Sequence, residues 1–208
     1  SKLARKYDGD NPLFIYLPES DFDMDQFICD IEKALKKQPN VIVCVSEGIS
    51  DSHGTFICEY DDEARLDSFG HKMLTGCGKV LENFVRNRLG VKVRSVELNV
   101  CQRCSAAIVS KTDIEEAVLA ASHGVLAALD GETGKMIAFQ RAPGSAYEIS
   151  CITVDVNEVC NKEKPFPSQW ITNNGTDIGP EFLDYVLPLI QGNILQQEKD
   201  GLPVFLYR

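Results

Sequence analysis

Apolar positions along the chain fall into two periods. Residues 13–17, LFIYL, form a continuous apolar run stopped by Pro18, as expected of a short buried strand. Phe27, Ile28, Ile31 and Leu35 then recur at helical spacing, which predicts a helix to about Lys37, capped by Asp21 or Asp23. Lys33, Lys36 and Lys37 suit its C-terminal end. Residues 41–45, VIVCV, read as a second buried strand ending at Ser46-Glu47-Gly48. Strand, helix and strand make a βαβ unit. Residues 50–68 are polar and acidic and predict a loop or short insertion with a solvated surface. A long helix is expected over 69–89, with Leu74, Val80, Leu81, Phe84, Val85 and Leu89 as its apolar stripe and Gly90 just past its end. Gly76 and Gly78 near its start suggest close packing or approach to a ligand. Residues 91–98 alternate and predict a third strand, which runs out into a polar turn.

The pattern continues with an amphipathic helix over 113–129, capped by Thr112 or Asp113, with Glu115 and Glu116 in its first turn. A turn at 131–134 separates it from a strand over 135–140. A Pro-Gly loop at 142–146 leads to another strand over 147–153. A short helix is expected over 154–162, mostly loop over 163–180, and a helix over 180–190 with Pro188 near its end. Residues 203–207 read as a last extended segment, and residues 1–7 as helix-like. The expected class is α/β: a Rossmann-like three-layer αβα arrangement with a mainly parallel sheet.

Composition narrows the setting. The 208 residues are 44% apolar and 25% charged, an ordinary globular balance. A net charge of −10 argues against a general nucleic-acid or membrane-surface binder, while leaving room for a local cationic pocket. No apolar run approaches the ~18 residues of a membrane span, and no signal-peptide pattern is found. Cys29, Cys44, Cys58, Cys101 and Cys151 sit in or beside apolar runs, as free buried thiols do, so a reducing, cytoplasmic compartment is expected.

The candidate chemistry gathers where strands end. Arg94 and Arg103 bracket the third predicted strand, and arginine's planar fork binds a phosphate through two hydrogen bonds. Gln102 adds a neutral donor and acceptor beside them. Glu47 ends a buried strand, where a carboxylate can accept hydrogen bonds from sugar hydroxyls or bind metal. Either arginine could instead make a surface ion pair, and Glu47 a local cap. Cys101 and Cys104 form a lone C-x-x-C without the further ligands that zinc requires. The three histidines do not cluster, though His71, beside Gly70, could face a ligand. No glycine-rich loop of the Walker or dinucleotide type is present. Residues alone thus point to an α/β protein with an anionic-ligand site.

The sequence also resembles the phosphofructokinases, and the pyrophosphate-dependent type in particular. The resemblance rests on Ile15-Tyr16-Leu17-Pro18-Glu19, Val45-Ser46-Glu47-Gly48-Ile49, Phe69-Gly70-His71-Lys72 with Gly76-Cys77-Gly78-Lys79, and Val93-Arg94-Ser95-Val96-Glu97-Leu98. It continues through Gln102-Arg103-Cys104, Ser110-Lys111-Thr112-Asp113, Gly131-Glu132-Thr133-Gly134-Lys135-Met136 and Pro188-Leu189-Ile190-Gln191-Gly192. These come in the family's order over nearly the whole chain.

The resemblance implies phosphoryl transfer from pyrophosphate or ATP, with Mg²⁺, to O1 of fructose 6-phosphate, a step of glycolysis. It implies Glu47 on the sugar hydroxyls, Arg103 on the 6-phosphate, and Arg94 on the 6-phosphate of a neighbouring subunit's site in a homo-oligomer, dimer or tetramer. The substrate-binding set is then Glu47, Arg94, Val100, Cys101, Gln102 and Arg103. Two positions depart from the family. Asn99 stands where glycine is usual, and Val100, where histidine or tyrosine is usual, cannot donate a hydrogen bond. The family's donor loops and catalytic base precede the stretch matched here, so the chain resembles the C-terminal half. Residues 1–103, with 193–208 returning to them, would form the sugar-phosphate subdomain. Residues 104–192 would belong to the phosphoryl-donor domain. No catalytic or metal-binding residue is then expected in this chain, and Mg²⁺ would be held mainly elsewhere. The chain alone is expected to be inactive. The alternative is a non-catalytic regulatory or assembly subunit with the same fold.

Overall fold

The structure is a computed structural model, and it describes residues 2–3, 10–60, 76–105, 108–144, 146–195 and 197–204. The chain divides into two compact units, Ser1–Leu98 with Pro165–Phe182, and Asn99–Lys164 with Leu183–Arg208. The first division thus falls after Leu98, where the sequence reading had it after Arg103, and residues 193–204 group with the second unit.

The first unit is built on the expected βαβ element. Strand β1 (Leu13–Tyr16) pairs in parallel with β2 (Ile42–Val45), Leu13 opposite Ile42 and Tyr16 opposite Val45. Helix α1 (Met24–Leu35) connects them, and its cap is Asp23, whose carboxylate accepts from the Gln26 N–H at 2.8 Å. Helix α2 (Cys77–Leu89) starts at Gly76 and ends at Gly90, whose φ of 65° is the left-handed geometry that lets glycine close a helix. Residues 69–75, expected as the start of this helix, lie outside the described residues, as does His71. Tyr16, Phe22, Phe27, Ile31, Ile49, Ile57, Leu81 and Val85 form the core. Tyr16 meets Phe22 and Phe27 edge-on, with ring centroids 4.9 and 5.6 Å apart.

Two expectations in this unit change. Residues 91–98 form no ladder with any described strand. Positions 91 to 96 alternate inward and outward as a strand does, 97 and 98 are exposed like 96, and Val91 and Val93 pack on the core; the segment lies against α2, and among the described residues its backbone finds no neighbouring strand. The parallel pairing is therefore confined to β1 and β2, and the other three sheets among the described residues are two-stranded and antiparallel. The acidic stretch is also more than a solvated surface. Asp51 accepts from the N–H groups of His53 and Thr55 at 2.8 and 2.9 Å and from the Tyr60 hydroxyl at 2.7 Å, so it holds its own loop in an Asx turn. Its acidic neighbours at 61, 62, 63 and 67 lie outside the described residues.

The second unit opens with α3 (Asn99–Cys104), a short helix where a polar turn was expected. Asn99 begins it at φ 42°, a left-handed conformation that asparagine tolerates best after glycine. Helix α4 (Lys111–Leu129) is capped by Ser110, which accepts from the Asp113 N–H at 3.0 Å. Thr112 and Asp113 were the expected caps, but both lie inside the first turn. A cap must sit two or three residues ahead of the N–H it accepts from, and Ser110 has that spacing. Strands β3 (Lys135–Arg141) and β4 (Ile149–Asp155) form an antiparallel hairpin, and helix α5 (Val156–Val159) follows. Helix α6 (Pro180–Val186) runs into a single 3-10 turn at Leu187–Ile190, because Pro188 cannot donate the next helical hydrogen bond.

All fully buried apolar residues described belong to the first unit. In the second, α4 has no buried residue, and Ile114, Val118, Val125 and Leu129 line an exposed apolar stripe.

Candidate functional site

Glu47 occupies the turn after β2, as the end of a buried strand dictates, and its side chain is exposed. The turn is fixed on three sides. The Ser46 N–H donates to the Tyr16 carbonyl of β1 at 3.2 Å. The Cys77 thiol, at the start of α2, donates to the Ser46 carbonyl at 3.5 Å. Ile49 is 0% exposed and anchors the far side in the core, where its carbonyl accepts from the Ile57 N–H at 3.0 Å. Burial, then the neighbouring Cys58 thiol and the Glu47 and Glu97 carboxylates, push the Cys77 thiol up to about 11. Glu47, Glu97 and Cys77 thus share one neighbourhood at the end of β2 and the start of α2.

Arg94 lies in the same unit, on the extended segment that follows α2, and is exposed. Among the described residues it forms no ion pair and no side-chain hydrogen bond, so its guanidinium remains available to an anion. The segment carrying it is held by Glu82 of α2. The Glu82 carboxylate accepts from the Ser95 N–H at 2.9 Å and the Ser95 hydroxyl at 2.6 Å. It also pairs with Lys79 at 3.0 Å and with Arg86. The Ser95 hydroxyl and N–H, followed by Lys79 and Arg86, hold this carboxyl well below the usual carboxylate range. A Cβ on Gly78 would stand 3.4 Å from the Ser95 Cβ, which places the segment in contact range of this turn of α2. Sequence reading missed Glu82. Its signal was a carboxylate one helical turn from Lys79 on one side and from Arg86 on the other.

Val100, Cys101 and Gln102 lie in the second unit, on α3, and all three are exposed. Arg103 is in the same helix, and its side chain lies outside the described residues. The predicted set is therefore divided: Glu47 and Arg94 in one unit, Val100 to Arg103 in the other. All eight cysteines are free, with Cys101 and Cys104 exposed. Among the described residues no three His, Cys, Asp or Glu side chains gather as a metal ion would require. No described helix is long and apolar enough to cross a membrane.

Two concavities lie elsewhere and contain none of the six predicted residues. One, of about 340 Å³, sits at the loop end of the β3–β4 hairpin beside Arg141. That guanidinium is occupied, stacked 4.8 Å over the Tyr147 ring and donating to the Tyr185 carbonyl at 2.9 Å. The Tyr147 hydroxyl donates to Glu116 of α4 at 2.5 Å, and burial followed by that carboxylate pushes it up to about 12. The other, of about 570 Å³, lies between the start of α1 and the outer face of α2, where Arg88 pairs with Asp25 at 2.9 Å.

No profile of a known protein family matches the chain. Individual relatives do. It is 32% identical to a pyrophosphate–fructose 6-phosphate 1-phosphotransferase of Halomonas elongata, over 97% of this chain and 47% of the relative. It is 31% identical to the enzyme of the same name from Xanthomonas campestris pv. campestris, over 98% and 49%. The crystal structure of a pyrophosphate-dependent phosphofructokinase from Marinobacter aquaeolei superposes with a TM-score of 0.77 at 28% identity, covering 97% of this chain and 46% of that one. The chain spans about half the length of the curated relatives it matches. Sequence and fold agree over nearly all of its own length, and the chain belongs to the phosphofructokinase family.

Proposed function

We propose that this chain supplies the fructose 6-phosphate side of a phosphoryl transfer from pyrophosphate to the sugar's O1, yielding fructose 1,6-bisphosphate in glycolysis. The observation that carries the reading is the presence, within one unit, of an exposed Glu47 at the end of a parallel strand and an Arg94 with no ion-pair partner among the described residues, both held by α2. A carboxylate suits sugar hydroxyls, and a guanidinium suits a phosphate. The family resemblance assigns Gln102 and Arg103 of α3 to the sugar's phosphate as well. Val100 contributes no hydrogen bond, and Cys101 lines the same run. Pyrophosphate is favoured over ATP as donor because the relatives matched over nearly the whole chain carry that donor in their names.

In this reading residues 1–103 serve the sugar phosphate and residues 104–192 belong to the donor side. Arg94 reaches a neighbouring subunit's phosphate, so the working form is a homo-oligomer, dimer or tetramer, in the cytoplasm. Phosphoryl transfer in such a site relies on positioning and charge stabilisation together with a base and Mg²⁺. The described residues offer no cluster of three His, Cys, Asp or Glu side chains for that ion.

The test is calorimetric titration of the 208-residue protein with fructose 6-phosphate. Loss of a charge-assisted phosphate contact weakens binding by roughly 10- to 100-fold, expected for Arg94→Ala and Arg103→Ala alike. The protein alone should form no fructose 1,6-bisphosphate. Absence of binding to the wild type, or equal affinity for wild type and both variants, would discard the reading and favour a subunit that serves assembly.

A further inference from the structure

We infer that Glu82 is a positioning residue for the sugar-phosphate site, setting the backbone from which Arg94 reaches the phosphate. The inference rests on the reading of Arg94 as a phosphate ligand. It starts from an oddity of placement. A buried glutamate on a helix face is expensive unless its charge is fully hydrogen-bonded. Glu82 is the one charged or polar residue that counts as buried among those described. Its second oxygen makes no contact with its own helix. Instead Oε2 receives both the N–H and the hydroxyl of Ser95, thirteen residues on. Its first oxygen takes Lys79 and Arg86, one turn before and one turn after, which neutralises the charge where it sits.

A helix needs none of these contacts to form, and two exposed lysine and arginine partners add little stability. What the arrangement does is hold the segment where no strand ladder does so among the described residues. No described strand neighbours residues 91–98 to set their register. Val91 and Val93 dock on the core, and the next inward position, Ser95, is polar. Without a buried acceptor there, the segment would be free to lift from α2 beyond Val93. Glu82 catches it one residue past Arg94, at the peptide that decides where the Arg94 side chain departs. Gly78, one turn earlier, faces the Ser95 Cβ on the same side of α2. The clamp is specific in kind: a backbone N–H and a hydroxyl on one carboxylate oxygen fix both position and rotation.

A residue that only stabilises the fold and one that aims Arg94 differ in a double-mutant cycle. Fructose 6-phosphate affinity is measured by calorimetry on the full 208-residue protein for wild type, Glu82→Gln, Arg94→Ala and the double variant. Folding is followed by fluorescence of Trp170. Glu82→Gln should weaken binding about 5- to 10-fold, the effect of a loosened rather than deleted phosphate ligand. The double variant should bind no more weakly than Arg94→Ala alone, because an unaimed arginine and an absent one are equivalent. Ser95→Ala should weaken binding about 3-fold and Ser95→Thr, which keeps the hydroxyl, should restore it. That pair decides the matter if Glu82→Gln does not fold.

Wild-type affinity in Glu82→Gln, or a loss that adds in full to that of Arg94→Ala, would overturn the inference. So would equal binding by Ser95→Ala and wild type. If Arg94→Ala binds as wild type while Arg103→Ala does not, the sugar-phosphate reading stands and this inference falls. If wild type does not bind, both fall.

Discussion

Ile49 offers the sharpest test of how the fold builds the site. Its side chain is 0% exposed, it belongs to the core cluster, and it lies two residues past Glu47. Ile49→Ala removes three carbons from a closed environment. At about 0.8 kcal/mol per carbon, the transfer term alone is roughly 2.4 kcal/mol. The cavity left among Ile57, Leu81 and the aromatic rings raises the expected loss to about 3–4 kcal/mol, within the usual range for Ile→Ala in cores. Ile49→Val, which removes one carbon, should cost about 1 kcal/mol. Trp170 is the chain's single tryptophan and sits in the first unit, between Phe166 and Phe182, so its fluorescence reports that unit's unfolding. With a urea slope of about 2 kcal/mol per molar, the midpoint should fall by about 1.5–2 M for the alanine variant and about 0.5 M for the valine. Fructose 6-phosphate binding should weaken in the valine variant too, because Ile49 also anchors the turn that presents Glu47. An alanine variant within about 1 kcal/mol of wild type, or indistinguishable from the valine, would refute the packing argument.

Acid should act on the Glu82 clamp with a definite sign. Because its carboxyl is held below the ordinary range, the stability it contributes is complete above the unfolded glutamate value near about 4.3 and fades as pH falls below it. The stability gap between wild type and Glu82→Gln should therefore shrink from pH 7 toward pH 3, and a gap that stays constant or widens would count against the clamp. Ser110→Ala should lower stability by about 1 kcal/mol, measured by thermal unfolding, because it removes the cap of α4, and Ser110→Asn should recover part of it. Maleimide at neutral pH should label the exposed Cys101, Cys104 and Cys160 well before the buried Cys58 and Cys77, since the Cys77 thiol is pushed up to about 11. Equal labelling rates read by mass spectrometry would contradict the burial of Cys77.

The βαβ unit was legible because its signals are local: LFIYL stopped by a proline, a helical stripe with an aspartate cap, and VIVCV. The β3–β4 hairpin and α4 were legible for the same reason. Residues 91–98 show what locality misses. The alternation holds from 91 to 96 and lapses at 97 and 98, and alternation carries no information about whether a partner strand exists. The polar turn after them became α3 because Asn99 could adopt the left-handed start that the turn needed. At the site, Glu47 and Arg94 were singled out by their place relative to expected strand ends. Glu82 was not, since a glutamate flanked by Lys79 and Arg86 reads as an ordinary surface ion-pair series. Only the approach of Ser95 turns it into an internal acceptor, and that contact spans sequence which no periodicity connects.

The first unit has one further property that bears on how the protein is made. Its sheet region is completed by residues that come last: the Ile15 N–H donates to the Thr176 carbonyl at 2.9 Å, and Lys2 pairs with Asp177 at a separation of 175 residues. On the ribosome, β1, α1 and β2 emerge early, yet the segment that covers β1 emerges only after the whole of β3 and β4. Contacts of such long sequence separation form late and slowly. A nascent chain halted before residue 165 should thus leave the edge of β1 open to protease and to chaperones, while one that includes residues 165–182 should not.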